Sequence, residues 1–433
     1  MKKKYGFLKS ALILTAANAA VRGIGFLLRL MLSRSLGARL IGYLEMTSVV
    51  QMFLITFTTA GLPLAVSRMV ARESTSKGKL EVLLSGKQAV ARLSLILLPL
   101  YLALIPLLAR LMGLKTLIYP LAAYAPCMLV LGFSGIYNGY CYGLGREELP
   151  ALNEIAEQAI RFVCAAALLY TLSGAREGIL MIIPAMAMLA GESGGLILMR
   201  FLLRREIKCG KAEKYASRLA ELTSLSMPAT GARLTGTLLR LASTLLTPLL
   251  LVRIGETASE AAEMVGLLHG MAMPVVFLPG IATGAIAMLV LPRAAKRTGS
   301  AARDYSSRVL APCAALGLLC ALIVYFSAPF IAVSLYNQPL LSGMLRLLAP
   351  CVLFGALLQV SGGLLAGMGR QRESLVSAIV SSALSLAGMF VFMYLMRLGI
   401  NGAIYAMWVG EGVQLFMQLR ALSVSPRSSQ EGA

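Results

Sequence analysis

The sequence predicts an all-α, polytopic membrane protein with about twelve transmembrane helices, arranged in two six-helix, pseudo-symmetric lobes around a central cavity. Three observations lead there. Apolar residues make up 58% and charged residues only 14% of the 433 positions, and the mean hydropathy is +0.79, outside the range of soluble domains. The apolar residues fall into runs of roughly twenty, the length that crosses a hydrocarbon core of about 30 Å. Two segments, Arg22-Gly23-Ile24-Gly25-Phe26-Leu27-Leu28-Arg29-Leu30 and Arg233-Leu234-Thr235-Gly236-Thr237-Leu238-Leu239-Arg240-Leu241, repeat one pattern in the two halves.

Bounded by charge, Gly/Pro clusters and turns, the first six spans read near 7–33, 40–70, 84–112, 116–144, 150–173 and 178–203. A charged stretch follows, from Arg204 to Arg218, and six more spans read near 222–252, 262–292, 304–333, 339–368, 373–396 and 399–422. The chain therefore divides into an N-terminal lobe (1–204), a basic cytoplasmic linker (205–221), a C-terminal lobe (222–422) and a cytoplasmic tail (423–433). The start, Met1-Lys2-Lys3-Lys4, leads into an apolar stretch too long for a signal-peptide core and reads as a retained first helix.

Loop charge sets the orientation. With both termini cytoplasmic, roughly 27 Lys/Arg fall in or beside cytoplasmic segments and about 7 beside external ones, a positive-inside pattern. Segment 68–92, with Arg68, Arg72, Lys77, Lys79, Lys87 and Arg92, is cytoplasmic on this reading, whereas 253–263 and 334–338 are external.

The halves repeat beyond the arginine segments. Ser67-Arg68-Met69-Val70-Ala71-Arg72 after span two echoes Pro292-Arg293-Ala294-Ala295-Lys296-Arg297 after span eight, and Gly143-Leu144-Gly145-Arg146 echoes Gly367-Met368-Gly369-Arg370. An even number of spans per repeat makes the repeats parallel, related by an axis along the membrane normal, which is a transporter plan with a substrate site between the lobes.

The formal charge of +21 fits this topology better than nucleic acid, because the basic residues sit in short loops and no binding module is present. The seven cysteines are scattered without a CxxC or Cys/His cluster, so neither a metal centre nor a disulfide framework is expected. No Walker lysine motif occurs, and Gly143-Leu144-Gly145-Arg146 reads as a helix-ending turn. His269, the single histidine, reads as a packing residue. Tyr137, Asn138, Tyr140 and Tyr142, near the end of span four, suit either sugar stacking or an interfacial belt. No nucleophile, base or metal constellation suggests an enzyme, and no cofactor is expected.

The chemistry lies in charges within the spans. An unpaired guanidinium at the bilayer centre costs at least roughly 2.5 to 3.5 kcal/mol. Arg22 and Arg29 are seven residues apart, about two turns, and so share a face; Arg233 and Arg240 repeat that geometry. Arg22 and Arg233 fall near mid-depth, whereas Arg29 and Arg240 lie toward the outer side, where a long side chain snorkels. Their planar forks suit the oxygens of an anion. On span five, Glu157 and Arg161 have the i,i+4 spacing of an internal ion pair, and Glu154 lies one turn earlier. Glu192 on span six and Glu411 on span twelve are further intramembrane carboxylates, suited to pairing with an arginine or to binding H⁺ or Na⁺. With Glu154, Glu157 and Arg161 they are the expected gate or ion-coupling residues. Glu45 reads as an outer-surface residue.

The run from Arg22 through Gly25-Phe26, Arg29 and Leu36-Gly37 to Ile41-Gly42-Tyr43 resembles the start of the SpoVB-like polysaccharide-export proteins of Gram-positive bacteria. Gly61-Leu62-Pro63-Leu64-Ala65-Val66-Ser67-Arg68 does so too, and Gly139-Tyr140-Cys141-Tyr142-Gly143 to Glu157-Gln158-Ala159-Ile160-Arg161 is similar to that family's fourth and fifth helices. The resemblance extends to the multidrug/oligosaccharidyl-lipid/polysaccharide (MOP) superfamily and its lipid II flippases. It implies alternating access and passage of undecaprenyl-pyrophosphate-linked sugars between leaflets. It also implies that Arg22 and Arg233, at the positions matching cavity arginines of the flippases, engage the pyrophosphate. The chain departs from that pattern in having twelve spans where many members have fourteen. Gly23 also stands where the flippases carry an acidic residue.

These readings converge on a flippase in the bacterial cytoplasmic membrane that moves a lipid-linked anionic saccharide or peptidoglycan precursor to the outer leaflet. Arg22 and Arg233 bind it, and Arg29 and Arg240 assist. The membrane potential or an H⁺ or Na⁺ gradient would drive it. It is expected to act as a monomer beside cell-wall or polysaccharide synthases. The alternatives are a cation-coupled multidrug exporter and a non-transporting scaffold for cell-wall synthesis.

Overall fold

A bilayer offers the backbone no water, so each apolar run must satisfy its N–H and C=O groups within itself, and the helix does so. The computed structural model describes residues 2–59, 61–204, 216–295, 297 and 299–423, and every regular element among them is helical. In chain order these are α1 (Lys2–Thr59), α2 (Leu62–Arg72), α3 (Ser76–Leu111), α4 (Ile118–Gly143), α5 (Glu148–Thr171), the single turn α6 (Glu177–Leu180), α7 (Ile183–Leu202) and α8 (Ala216–Arg253). They continue with α9 (Ala258–Val265), α10 (Met273–Phe277), α11 (Gly280–Ala294), α12 (Gly299–Phe330), α13 (Leu341–Gly367), α14 (Gln371–Met389) and α15 (Gly399–Ser423). π-Helical turns occupy Gly266–Ala272, Ile331–Leu335 and Phe390–Leu395. The linker expected at 205–221 is described only from 216, where α8 has begun. Of the tail only Ser423 is described, and the rest of both lies outside the described residues.

Helices occupy all twelve segments expected from the sequence. Eight helices among the described residues are long and apolar enough to cross a membrane, and a ninth is added when the pair Ala258–Phe277 and Gly280–Ala287, bent by 52°, is taken as one span. The first of the eight, Ala17–Arg72, contains two expected spans, because the chain breaks at Gly37. Gly37 has φ 77° and ψ 167°, a region open essentially to glycine alone. The helices α5 and α15 fall outside the eight; these carry Glu154, Glu157 and Arg161 in one case and Asn401, Glu411 and Gln414 in the other.

Packing divides the chain into two compact units, Met1–Leu36 with Tyr43–Leu241, and Gly37–Gly42 with Ala242–Ala433. In the first unit, α2, α3 and α4 bury Leu62, Val66, Val70, Leu83, Val90 and Ile136. The approach of α4 to α2 depends on Gly135, Gly139 and Gly143, which recur every fourth residue and so share a face. A methyl at Gly139 would collide with the Pro63 carbonyl, and one at Gly143 would sit 2.7 Å from the Ser67 carbonyl oxygen. The start of α8 is tied down by Arg218, which lies 2.5 Å from Glu73 and 3.2 Å from Glu81.

The second unit uses the same device. Gly363 and Gly367 of α13 lie against Ala287 and Leu291 of α11, over a core that includes Val290, Val360 and Leu364. Gly42 faces the Ala262 carbonyl, and Gly266 faces that of Ala38. The repeated Gly-x-Gly-Arg sequence thereby acquires a structural meaning. Its first glycine packs and its second turns the chain, with φ 72° at Gly145 and 75° at Gly369. The Arg146 N–H then donates to the Cys141 carbonyl at 3.0 Å, and the Arg370 N–H to that of Leu365 at 2.8 Å, the 6→1 bond of a Schellman cap.

Gly139→Ala and Gly367→Ala should each lower stability by about 1–3 kcal/mol, the cost of overpacking a close helix contact. Gly343→Ala, in open space on α13, should raise it by about 0.5–1 kcal/mol. Thermal unfolding of the three variants in detergent checks the contrast.

Candidate functional site

The four arginines of the repeated segments, together with Arg161, divide into two classes according to what meets them. Arg22, Arg233 and Arg240 are exposed on their helices, and among the described residues none of the three is ion-paired. The hydroxyls near Arg233 are bonded back into α8, with Thr237 donating to the Arg233 carbonyl at 3.0 Å and Thr235 to that of Gly231 at 3.0 Å. They leave the guanidinium unengaged.

Arg29 and Arg161 belong to the other class. The sequence places Arg29 near a membrane surface, free to snorkel or to bind substrate, and sets Glu45 aside. In the structure Arg29 Nη2 is ion-paired with Glu45 Oε1 across the break at Gly37. The pair joins residues sixteen apart, so no helical spacing announces it. The available signal was electrostatic: two opposite charges stood in adjoining apolar runs, each in need of a partner.

The internal pair expected between Glu157 and Arg161 is corrected. Arg161 Nη2 instead donates to Glu192 Oε1 on α7 at 2.8 Å, and Glu157 accepts from Asn153 Nδ2 at 2.6 Å and Ser134 Oγ at 3.2 Å. Glycines on α7 permit this exchange. At Gly191 a Cβ would lie 2.7 Å from the Glu157 carbonyl oxygen and 3.1 Å from Arg161 Cβ, and at Gly195 it would strike the Glu157 side chain. With α7 so close, the buried Glu192 meets the guanidinium directly, while Glu157, also buried, is satisfied by neutral donors. In the first unit, a Cβ at Gly25 would be 3.9 Å from Gln158 Oε1, which sets the arginine-bearing face of α1 beside α5. Glu154 is exposed on α5, apart from these contacts.

Glu411, in the second unit, is not met by any arginine among the described residues. Its Oε2 is buried without a hydrogen-bond partner, as is Trp408 Nε1 one turn earlier, and the Cys351 thiol of α13 lies beside it. Sequence reasoning also missed two neutral clusters of this unit. Thr283 donates to Gln359 at 2.7 Å, and Ser361 to Gln418 at 2.5 Å, with Ser377 beside Gln418 at 3.3 Å. Sugar stacking is not available to Tyr137 and Tyr140, which are 2% and 4% exposed in the core of the first unit; Tyr142 is 51% exposed. Among the described residues, no group of three or more His, Cys, Asp or Glu is placed to hold a metal ion.

Residues 7–298 match the model of a family described as polysaccharide biosynthesis protein. The chain is 27% identical over 447 aligned positions to stage V sporulation protein B of Bacillus subtilis (strain 168), covering 98% of this chain and 84% of that protein. Among solved structures, it is similar to the inward-facing conformation of a multidrug resistance MATE family transporter of the MOP superfamily. That match has a TM-score of 0.76 and 14% identity, and covers 95% of this chain and 97% of the other. It is also similar to the lipid II flippase MurJ in an inward closed conformation, with a TM-score of 0.73, 15% identity, and 96% and 88% of the two chains covered. The structural matches establish the fold.

Removing one member of a buried ion pair leaves the other uncompensated, at a cost of about 3–5 kcal/mol, whereas removing both costs far less. Glu192→Gln should therefore destabilise the protein more than the double variant Arg161→Gln/Glu192→Gln. A double-mutant cycle on unfolding midpoints reads the coupling. Equal losses from the single and double variants would deny that the pair is structural.

Proposed function

The chain belongs to the polysaccharide biosynthesis protein family, and from that premise we propose that it is a flippase for an undecaprenyl-pyrophosphate-linked saccharide or peptidoglycan precursor. It moves the headgroup from the inner to the outer leaflet of the bacterial cytoplasmic membrane by alternating access, with both termini in the cytoplasm. One observation carries the reading. Arg22, Arg233 and Arg240 stand exposed on apolar helices with no carboxylate among the described residues, whereas Arg29 and Arg161 are each paired. A cation kept unpaired at such cost is held for an anion that arrives from outside the fold.

A pyrophosphate diester brings two negative charges and several acceptor oxygens, which guanidinium forks meet bidentately. The prenyl tail stays in the hydrocarbon, so only the headgroup needs a polar route. The match to the polysaccharide biosynthesis family supports a saccharide as cargo, and the fold shared with a lipid II flippase suits a lipid-linked one. The same fold occurs in multidrug transporters, but three unpaired guanidinium groups repel the cationic drugs that such a carrier would have to admit. Glu411, with its unpartnered buried oxygen, is the group proposed to take H⁺ if transport is gradient-driven.

Arg22→Ala and Arg233→Ala should each slow flipping of a labelled prenyl-pyrophosphate sugar in reconstituted vesicles by at least about tenfold, the loss of a charge-assisted hydrogen bond. Neither change should shift the thermal midpoint. Arg29→Ala should instead lower that midpoint, because it orphans Glu45. Wild-type rates in both of the first two variants would refute the assignment.

A further inference from the structure

The last turns of α8 and the end of α14 enclose a cleft in the second unit. At its base, Ser243 Oγ lies 3.4 Å from Met389 Sδ. The cleft itself begins beyond that contact, at Leu246 on α8 and Phe390 on the other side. The opening of about 390 Å³ is lined by Leu246, Leu249, Leu250, Arg253, Phe390 and Tyr394. On that other side α14 gives way to the π-helical turn Phe390–Leu395, a wider winding that recurs at functional sites. Within that turn Phe390 and Tyr394 stack with ring centroids 5.3 Å apart, forming one aromatic wall. Leu249 opposite is 53% exposed.

Lining and charge indicate the occupant. Leu246 to Arg253, the lining on α8, is seven residues of helix, about 10 Å, within the half-thickness of a hydrocarbon core of about 30 Å. The cleft therefore fits within one leaflet, and Arg253, the last residue of α8, stands at its end. Arg253 is the sole cation in the lining, is exposed, and has no carboxylate partner among the described residues.

We propose that this cleft holds the polyprenyl tail of a phosphorylated lipid, with the phosphate on Arg253. The identity of the lipid rests on the flippase reading. In the orientation of that reading the cleft lies in the outer leaflet, where it receives the tail once the headgroup has crossed.

The test uses the full-length protein in phosphatidylcholine vesicles with three photoreactive probes, diazirine-bearing undecaprenyl phosphate, the uncharged diazirine polyprenol, and a diazirine phosphatidylglycerol. Crosslinked peptides are mapped by mass spectrometry. Undecaprenyl phosphate should label the peptides carrying residues 243–253 and 389–395 about tenfold more than polyprenol, the effect of one charge-assisted hydrogen bond. Arg253→Ala should reduce it to the polyprenol level, Arg253→Lys should restore most of it, and Leu249→Trp should block the slot for both prenyl probes. Equal labelling by phosphatidylglycerol, or labelling indifferent to Arg253→Ala, would overturn the proposal. Flipping is assayed in parallel in the same vesicles, so a protein that is labelled but does not flip keeps the cleft and loses the flippase reading. One that flips without labelling does the reverse.

Discussion

A guanidinium inside an apolar helix has to be answered by a carboxylate, by water or by a bound anion, and much of this protein's polar structure follows from how that demand is met. Arg161 draws Glu192 to it across two helices, and Arg29 draws Glu45 across a break in the chain. These pairs consume charge that would otherwise be free to meet a ligand. Arg22, Arg233 and Arg240 keep theirs. The same residue type thus does two jobs in one membrane, fastening helices where an acid is present and staying open where none is.

The fastening works because side chains have been removed. Lipid tails are as apolar as leucine, so helices in a bilayer associate through close van der Waals fit and polar contacts. Gly191 and Gly195 let α7 settle onto α5 until Glu192 reaches Arg161, and Gly139 and Gly143 let α4 settle onto α2. Charge supplies the specificity of the first contact, and glycine the proximity that both require.

The spans were legible because a twenty-residue apolar run has few alternatives in a bilayer, and the arginine pattern stood out because charge is rare there. Gly-x-Gly-Arg could be read as a helix-ending turn from its glycines alone, although the packing use of the first glycine could not. What stayed hidden was choice of partner. Glu157 and Arg161 sit at ideal spacing, yet a neighbour on another helix takes the arginine, and only the tertiary approach of α7 decides it. Asn153 and Ser134 were invisible as ligands of Glu157 for the same reason, since a neutral amide or hydroxyl in an apolar run carries no demand that points to its acceptor. The break at Gly37 was hidden because glycine is common in membrane helices and seldom breaks them.

That break also has a rotational consequence. Each residue added to a helix turns every later side chain by about 100° about the axis, so the alignment of Glu45 with Arg29 is a matter of phase as well as distance. One residue inserted between Gly37 and Glu45 would swing the carboxylate to another side of the rod, whereas seven would return it almost to the same azimuth about 10 Å further along. The eight-residue interval from the hinge to the acid is therefore a fixed length in this chain, set by angle rather than by reach.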